Sequence, residues 1–144
     1  MHPEPPDHHD AELILKIYDL RREAVLRESR AQVLKDYWPT NVEEAVVVYR
    51  MDHPLNRAWR QMTSYWEMVY GMARHGAIHP EFLVDNNGEG LVLFVRAEPY
   101  LAAIREASSP RSFRNAEWVA RETETGRAMI EGFRARYAKA IAAR

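Results

Sequence analysis

The feature that most constrains the fold is one long apolar stretch, residues 55–76, with the sequence LNRAWRQMTSYWEMVYGMARHG. Its main apolar residues recur at steps of three and four, which places them on one face of a helix. These residues are Leu55, Ala58, Trp59, Met62, Trp66, Val69 and Ala73. A second apolar stripe, formed by Tyr65, Met68 and Met72, lies beside the first. A helix that is apolar over so much of its circumference is usually buried on several sides. The stretch therefore predicts a central helix around which the other helices pack.

A narrow polar stripe on the same helix has two interpretations. Its members are Arg60, Thr63, Ser64, Glu67, Gly71 and Arg74. In the first interpretation the stripe faces solvent, because charged side chains usually stay hydrated. In the second, the small residues Ser64 and Gly71 let another backbone approach closely, and a buried Glu67 carboxylate needs a cationic partner.

Length and composition restrict the class of protein. A chain of 144 residues suits one domain, and its net charge of −1 creates no global field that attracts nucleic acid or acidic membranes. The absence of cysteine excludes disulfides and thiol chemistry and fits a reducing compartment. The longest apolar runs are too short to span a bilayer, and the first ten residues lack the pattern of a secretory signal. We therefore expect a cytoplasmic protein with no transmembrane segment and no nucleic-acid partner.

The sequence also predicts helices in the rest of the chain. We expect residues 1–9 to be disordered and one helix to run from about Asp10 to Tyr37, where Pro39 stops it. Residues 40–43 (TNVE) form a capping-box pattern that opens a helix over 42–51, with Thr40 as the cap. Gly76 suits a left-handed helix end. Further predicted helices cover residues 79–84, 91–107 and 111–142. The helix over 91–107 breaks near Glu98-Pro99. The helix over 111–142 begins after Ser108-Ser109-Pro110 and has a weak point at 123–126.

Two apolar runs, Ala45–Tyr49 and Leu91–Val95, are compatible with strands. We assign both to helices, because helix signals flank the first run and no partner strand is evident elsewhere. The sequence thus predicts an all-α, single-domain bundle of five to seven helices, residues 10–144, around the central helix 55–76.

Two groups of residues have the chemistry of metal ligands. Residues 7–10 (DHHD) combine histidine with carboxylate, but they lie in the segment expected to be disordered and no further ligands are placed. His75 and His79 are four residues apart, but Gly76 and Pro80 disturb the helix that would align them. Because structural sites need four fixed ligands, we expect neither a metal site nor a cofactor.

Arg74 and His79 also match the spacing Arg-x4-His. This spacing is similar to the motif of HEPN-type helical ribonucleases. The resemblance implies that Arg74 steadies an RNA phosphate and that His79 acts as acid or base. Short motifs of this kind are frequent by chance in an arginine-rich chain, so the match is an alternative hypothesis.

Three charged residues on different predicted helices form another candidate cluster. Glu67, Arg105 and Glu117 each lie near an aromatic residue in the sequence, namely Trp66, Tyr100 and Trp118. We predict that Arg105 pairs with one or both carboxylates across the bundle, since a guanidinium binds carboxylates in a bidentate manner. Two carboxylates alone suggest acid–base catalysis, but a structural ion network is the preferred interpretation.

Residues 59–120 resemble a bacterial family of helical domains of unknown function. The matching features are Trp66-Glu67, the helix stop at residues 76–78 (GAI), the segment from Pro99 to Arg105, and residues 115–117 (NAE). The resemblance implies a helical fold with a recurring Glu/Arg/Glu arrangement. It implies no activity, substrate or cofactor.

The preferred functional hypothesis is a non-enzymatic protein-interaction or regulatory module. The long first helix and the amphipathic last helix favour a homodimer or a protein partner that binds through residues 10–37 and 127–142. The alternative is a HEPN-like ribonuclease or nucleotide-handling enzyme that uses Arg74 and His79. A third hypothesis is peripheral membrane contact through the last helix.

Overall fold

The computed structural model describes residues 4–144, and in this range it contains helices and turns without strands. The predicted all-α, single-domain class is therefore confirmed. The helices are α1 His8–Arg21, α2 Ala24–Asp36, α3 Val42–Val47, α4 Asn56–Arg74, α5 Pro80–Asn86, α6 Glu89–Ala97, α7 Leu101–Ala107, α8 Arg114–Glu122 and α9 Glu124–Ala142, with a 3-10 turn at Glu98–Tyr100 between α6 and α7. There are more helices than predicted because three predicted intervals, 10–37, 91–107 and 111–142, are each divided into two α-helices.

Helix α4 is the centre of the bundle, as its apolar stripe predicts. It contacts α2, α5, α6 and α8, and Trp59 and Trp66 are only 0% and 3% exposed. Tyr70, which lies outside the predicted stripe, is also fully buried and donates its hydroxyl hydrogen to the Asn87 carbonyl. The second predicted stripe is only partly buried, because Met68 is 53% exposed. The central helix is therefore covered on most sides but keeps one open face.

The predicted single helix over residues 10–37 is wrong, since the chain divides there into α1 and α2. The break lies at Arg22-Glu23, where the Glu23 carboxylate accepts a hydrogen bond from the Leu26 amide and caps α2. Helix α2 then packs along α4, whereas α1 contacts α5. The apolar periodicity continues across the break and so conceals it.

The start of α1 also differs from the prediction. Of the predicted disordered segment 1–9, residues 1–3 lie outside the described range, and α1 begins at His8. Asp7 is the cap, because its carboxylate accepts hydrogen bonds from the His9 and Asp10 amides. The Asp10 side chain returns a hydrogen bond to the Asp7 amide and completes a capping box.

Two further helix starts are shifted from their predicted positions. Asn41, rather than Thr40, caps α3 by accepting from the Glu44 amide, and Thr40 instead donates to the Glu44 carboxylate. Ser108-Ser109-Pro110 does not open a helix, since α8 begins only at Arg114. The intervening residue Phe113 adopts a left-handed conformation (φ 60°) that buries its ring near Trp59.

Other local predictions are confirmed. Gly76 ends α4 in a left-handed conformation (φ 77°), which glycine adopts without steric cost. The apolar run Leu91–Val95 is helical within α6, and the chain turns at Glu98–Tyr100 as its proline predicts. The predicted weak point at 123–126 is a true break, where Thr123 caps α9 through its hydroxyl oxygen.

Helix α9 packs against its own bundle. Its apolar side, with Met129, Ile130, Phe133 and Tyr137, contacts the core, and the helix borders α5, α6 and α8. Tyr137 donates its hydroxyl hydrogen to the Pro39 carbonyl over 2.8 Å and so links α9 to the end of α2. Within residues 4–144, no helix is both long enough and apolar enough to cross a membrane.

Two glycines of α9 provide a matched test of this packing. A Cβ atom on Gly126 would lie 2.2 Å from the Val119 carbonyl oxygen, whereas one on Gly132 would meet nothing within 4 Å. We expect Gly126→Ala to lower the free energy of unfolding by about 1–3 kcal/mol, because the start of α9 must shift. We expect Gly132→Ala to raise it by up to about 1 kcal/mol, because the helix interior loses a flexible residue. Urea unfolding of both variants measures the difference, and equal effects contradict the packing of α9 on α8.

Candidate binding groove

Glu67, in the middle of α4, caps the beginning of α8. Its Oε2 accepts a hydrogen bond from the Asn115 amide and its Oε1 one from the Ala116 amide, both over 2.9 Å. Helix α8 needs this help because Phe113, at its own cap position, has no side chain that accepts a hydrogen bond. The carboxylate satisfies two of the amides that a helix start leaves unpaired and lies where the helix dipole favours negative charge.

Burial and hydrogen bonding act on Glu67 in opposite directions. Burial raises the pKa of its carboxyl, whereas the amide hydrogen bonds and the nearby charges of Arg105 and Arg74 lower it. Burial is the stronger influence, so the pKa lies above the usual value for glutamate.

Asn115 strengthens the same junction between α4 and α8. Its Nδ2 donates to the Glu67 carbonyl over 2.9 Å, and its Oδ1 accepts from Arg74 Nη1 over 3.2 Å. A Cβ atom on Gly71 would lie 2.8 Å from Asn115 Nδ2, so this position of α4 requires glycine for the close approach. The close approach expected at Gly71 is therefore present, but the partners of the Glu67 carboxylate are amides instead of a cation.

Arg105 and Glu117 lie together on α7 and α8. Arg105 Nη2 is 3.1 Å from Glu117 Oε1, and Arg121 contacts the other oxygen of the same carboxylate at 2.9 Å. Arg105 Nε also donates to the Ser112 carbonyl. Within the described residues Glu67 forms no salt bridge. Of the two carboxylates predicted as partners, Arg105 therefore pairs with that of Glu117, whereas Glu67 caps α8.

The open face of α4 lines a row of adjoining clefts. Three clefts of about 540, 230 and 420 Å³ follow one another along the helix, the first two sharing Arg60 and Ser64 and the last two sharing Glu67. We call this surface the α4 groove. Its principal lining residues are Met51, His53, Arg57, Arg60, Gln61, Thr63, Ser64, Glu67, Met68, Arg74, His75, Arg111, Ser112, Arg114 and Asn115. The groove thus follows the polar stripe of the central helix and is bordered by the segment that leads into α8.

The α4 groove is strongly cationic although the whole chain has a net charge of −1. Five arginines line it, together with two histidines, and its one acidic lining residue, Glu67, is already bound to α8. Within residues 4–144, the guanidinium groups of Arg57, Arg111 and Arg114 make no hydrogen bond and no salt bridge. The groove therefore holds positive charge that the described part of the chain does not neutralise.

Arg74 and His79, the predicted ribonuclease pair, have different surroundings. Arg74 lines the groove and binds Asn115, whereas His79 is buried and lies outside the groove lining. The Nδ1 atom of His79 accepts from the Phe82 amide and caps α5, and its backbone amide donates to Asp10. These contacts give both residues structural roles, and the ribonuclease hypothesis remains a prediction.

The predicted metal-ligand candidates also have structural contacts. Asp7 and Asp10 form the capping box of α1, and His75 lies in the groove beside Arg74. In the described range, no group of three or more histidine, cysteine, aspartate or glutamate side chains is arranged to hold a metal ion.

Sequence reasoning did not identify Arg57, Arg111, Arg114 or Asn115 as site residues. For Arg57 a signal exists, because it lies one helical turn before Arg60 and Gln61 on the same face of α4. For the other three the sequence gives no signal, since a helix predicted from residue 111 does not place them against Glu67.

The cap of α8 can be tested by replacing one oxygen of Glu67. In Glu67→Gln the side chain keeps one acceptor, so one of the two α8 amides loses its partner. We expect the free energy of unfolding to fall by about 1–3 kcal/mol, measured by urea denaturation at neutral pH. Glu106→Gln, on the exposed side of α7, is the control and is expected to change it by less than about 0.5 kcal/mol. Equal stability of the two variants contradicts the capping role.

A comparison with protein families identifies the family to which this chain belongs. Residues 6–123 match a family described as a domain of unknown function (DUF4760), and the match includes α1–α8 and all residues of the α4 groove. The expected membership of a helical family of unknown function is thus confirmed, over a longer range than residues 59–120. Comparisons with curated proteins and with solved structures give no match. The chain therefore belongs to the DUF4760 family.

Proposed function

We propose that this protein is a non-enzymatic protein-interaction module that binds an extended, acidic segment of a partner protein in the α4 groove. The observation that carries the proposal is the row of arginines along one face of α4 and its border. Among residues 4–144, the guanidinium groups of Arg57, Arg111 and Arg114 have no hydrogen-bond or salt-bridge partner. Guanidinium groups bind carboxylates in a planar, bidentate manner, which favours an anionic partner.

The dimensions of the groove suit an extended chain. Helix α4 has 19 residues, so the distance from Arg57 to Arg74 is on the order of 25 Å. An extended peptide covers this distance with about eight residues. Because the cations are distributed along the whole groove, a segment with several acidic residues neutralises more of them than a small anion does.

The apolar residues of the groove favour a peptide over a nucleic acid. Met51 and Met68 lie at different points along the groove and are 78% and 53% exposed, and flexible methionine side chains are typical of surfaces that bind peptides. Single-stranded nucleic acids stack their bases on exposed aromatic rings. The aromatic residues of the groove are Tyr49, which is half-buried, and Phe113, which is buried, so they offer little surface for stacking.

The rigidity of the groove supports binding without rearrangement. Its floor is the central helix, whose opposite face is fully buried, and its border is held by Glu67, Asn115 and Gly71. A surface that is already ordered loses little conformational entropy when a partner binds.

Fluorescence anisotropy with a labelled peptide of alternating glutamate and leucine tests this proposal. We expect the double variant Arg57→Glu/Arg114→Glu to weaken binding at least about tenfold, because attraction becomes repulsion. The control Arg22→Glu/Arg27→Glu changes the net charge equally but lies outside the groove, and it is expected to alter the affinity by no more than about twofold.

Two further probes distinguish the alternatives. A peptide of alternating glutamine and leucine is expected to bind more weakly than the acidic peptide, and increasing salt is expected to reduce the difference. Absence of binding of the acidic peptide, equal effects of the two double variants, or tighter binding of a labelled oligo-uridine each contradict the proposal.

A further inference from the structure

A second cavity lies away from the groove, between the end of α2, helix α6 and helix α9. We call it the Trp38 pocket. Its walls include Trp38, Val92, Val95, Arg96, Phe133 and Tyr137, and its volume is about 230 Å³. The pocket is smaller than those that hold drug-sized ligands, which are typically ~300–1,000 Å³, so it suits a small molecule.

The pocket contains a buried cation without an acidic partner. Arg96 is only 6% exposed, and its Nη1 donates to the carbonyls of Val33, Leu34 and Tyr37 at the end of α2. Its Nε and Nη2 make no hydrogen bond within residues 4–144, and Arg96 forms no salt bridge there. Burial lowers the pKa of the Arg96 guanidinium, and no carboxylate contributes to the shift. Two donor positions of this group are thus left for another molecule.

Aromatic rings and a second arginine surround Arg96 in the pocket. The Arg96 guanidinium lies 3.8 Å from the centre of the Trp38 ring, and Tyr137 stacks nearly parallel to Trp38 at 5.7 Å. Arg136, also a lining residue, is exposed and forms no salt bridge in the described range. The pocket therefore combines apolar walls with positive charge that no described side chain neutralises.

We infer that the Trp38 pocket binds a small monocarboxylate with an apolar body, independently of the partner in the α4 groove. The apolar body replaces water against Trp38, Val95 and Phe133, which is favourable in proportion to the apolar area buried. The carboxylate accepts hydrogen bonds from the free donors of Arg96, and such charge-assisted bonds are stronger than neutral ones. Arg136 adds attraction at the rim.

Isothermal titration with octanoate, benzoate and 1-octanol tests this inference on the full chain. We expect one of the two carboxylates to bind, and 1-octanol to bind at least about tenfold more weakly than octanoate because it lacks the charge. The inference is overturned if octanoate and benzoate both fail to saturate the protein at about 10 mM. It is also overturned if octanoate and 1-octanol bind with equal affinity.

A pair of α9 variants locates the site. Ala140→Phe places a ring in the pocket and is expected to weaken carboxylate binding at least about tenfold, whereas Ala138→Phe, outside the pocket lining, leaves it unchanged. Arg136→Gln leaves the core unchanged. It is expected to weaken the binding of the carboxylate but not the binding of 1-octanol. Unaltered octanoate and benzoate affinities in Ala140→Phe, with an unchanged melting temperature, contradict binding in this pocket.

Discussion

The Glu67 carboxylate accepts hydrogen bonds from the first amides of α8 and so joins this helix to the central helix α4. Most helices here are short, and short helices leave a large share of their amides and carbonyls unpaired. Carboxylates from other helices supply several missing partners. Glu81 of α5 accepts from the Glu124 and Thr125 amides at the start of α9, and Asp10 of α1 accepts from the His79 amide before α5. The chain thus joins elements that are distant in sequence through charge-assisted bonds at helix starts.

The lining residues of the α4 groove determine its charge, with five arginines and the single carboxylate of Glu67. Both oxygens of Glu67 accept hydrogen bonds from amides of α8, and within residues 4–144 the carboxylate forms no salt bridge. The groove therefore presents arginines along a rigid helix, and in the proposed function an acidic partner provides the counter-charge. Arg96, in the Trp38 pocket, caps α2 with Nη1, and its Nε and Nη2 make no hydrogen bond within residues 4–144. Our inference assigns these two nitrogens to a carboxylate ligand.

Much of the architecture could be predicted from periodicity, because α4 is buried over most of its circumference and its apolar residues recur at helical steps. The break at Arg22-Glu23 could not be predicted, since the apolar period continues through it and conceals the local cap that Glu23 provides for α2. The cap of α8 could not be predicted from the sequence either, because Glu67 and Asn115 are 48 residues apart. Helix caps are usually sought among neighbouring residues, so the sequence suggested Ser108–Pro110 as the start of this helix.

The most direct test of this account is an NMR titration of the Glu67 carboxyl carbon together with the amide protons of Asn115 and Ala116. The account predicts that both amides shift with the carboxyl group in a single step, with a midpoint above the usual pKa of glutamate. Amide signals of Asn115 and Ala116 that do not follow the carboxyl titration would contradict the cap.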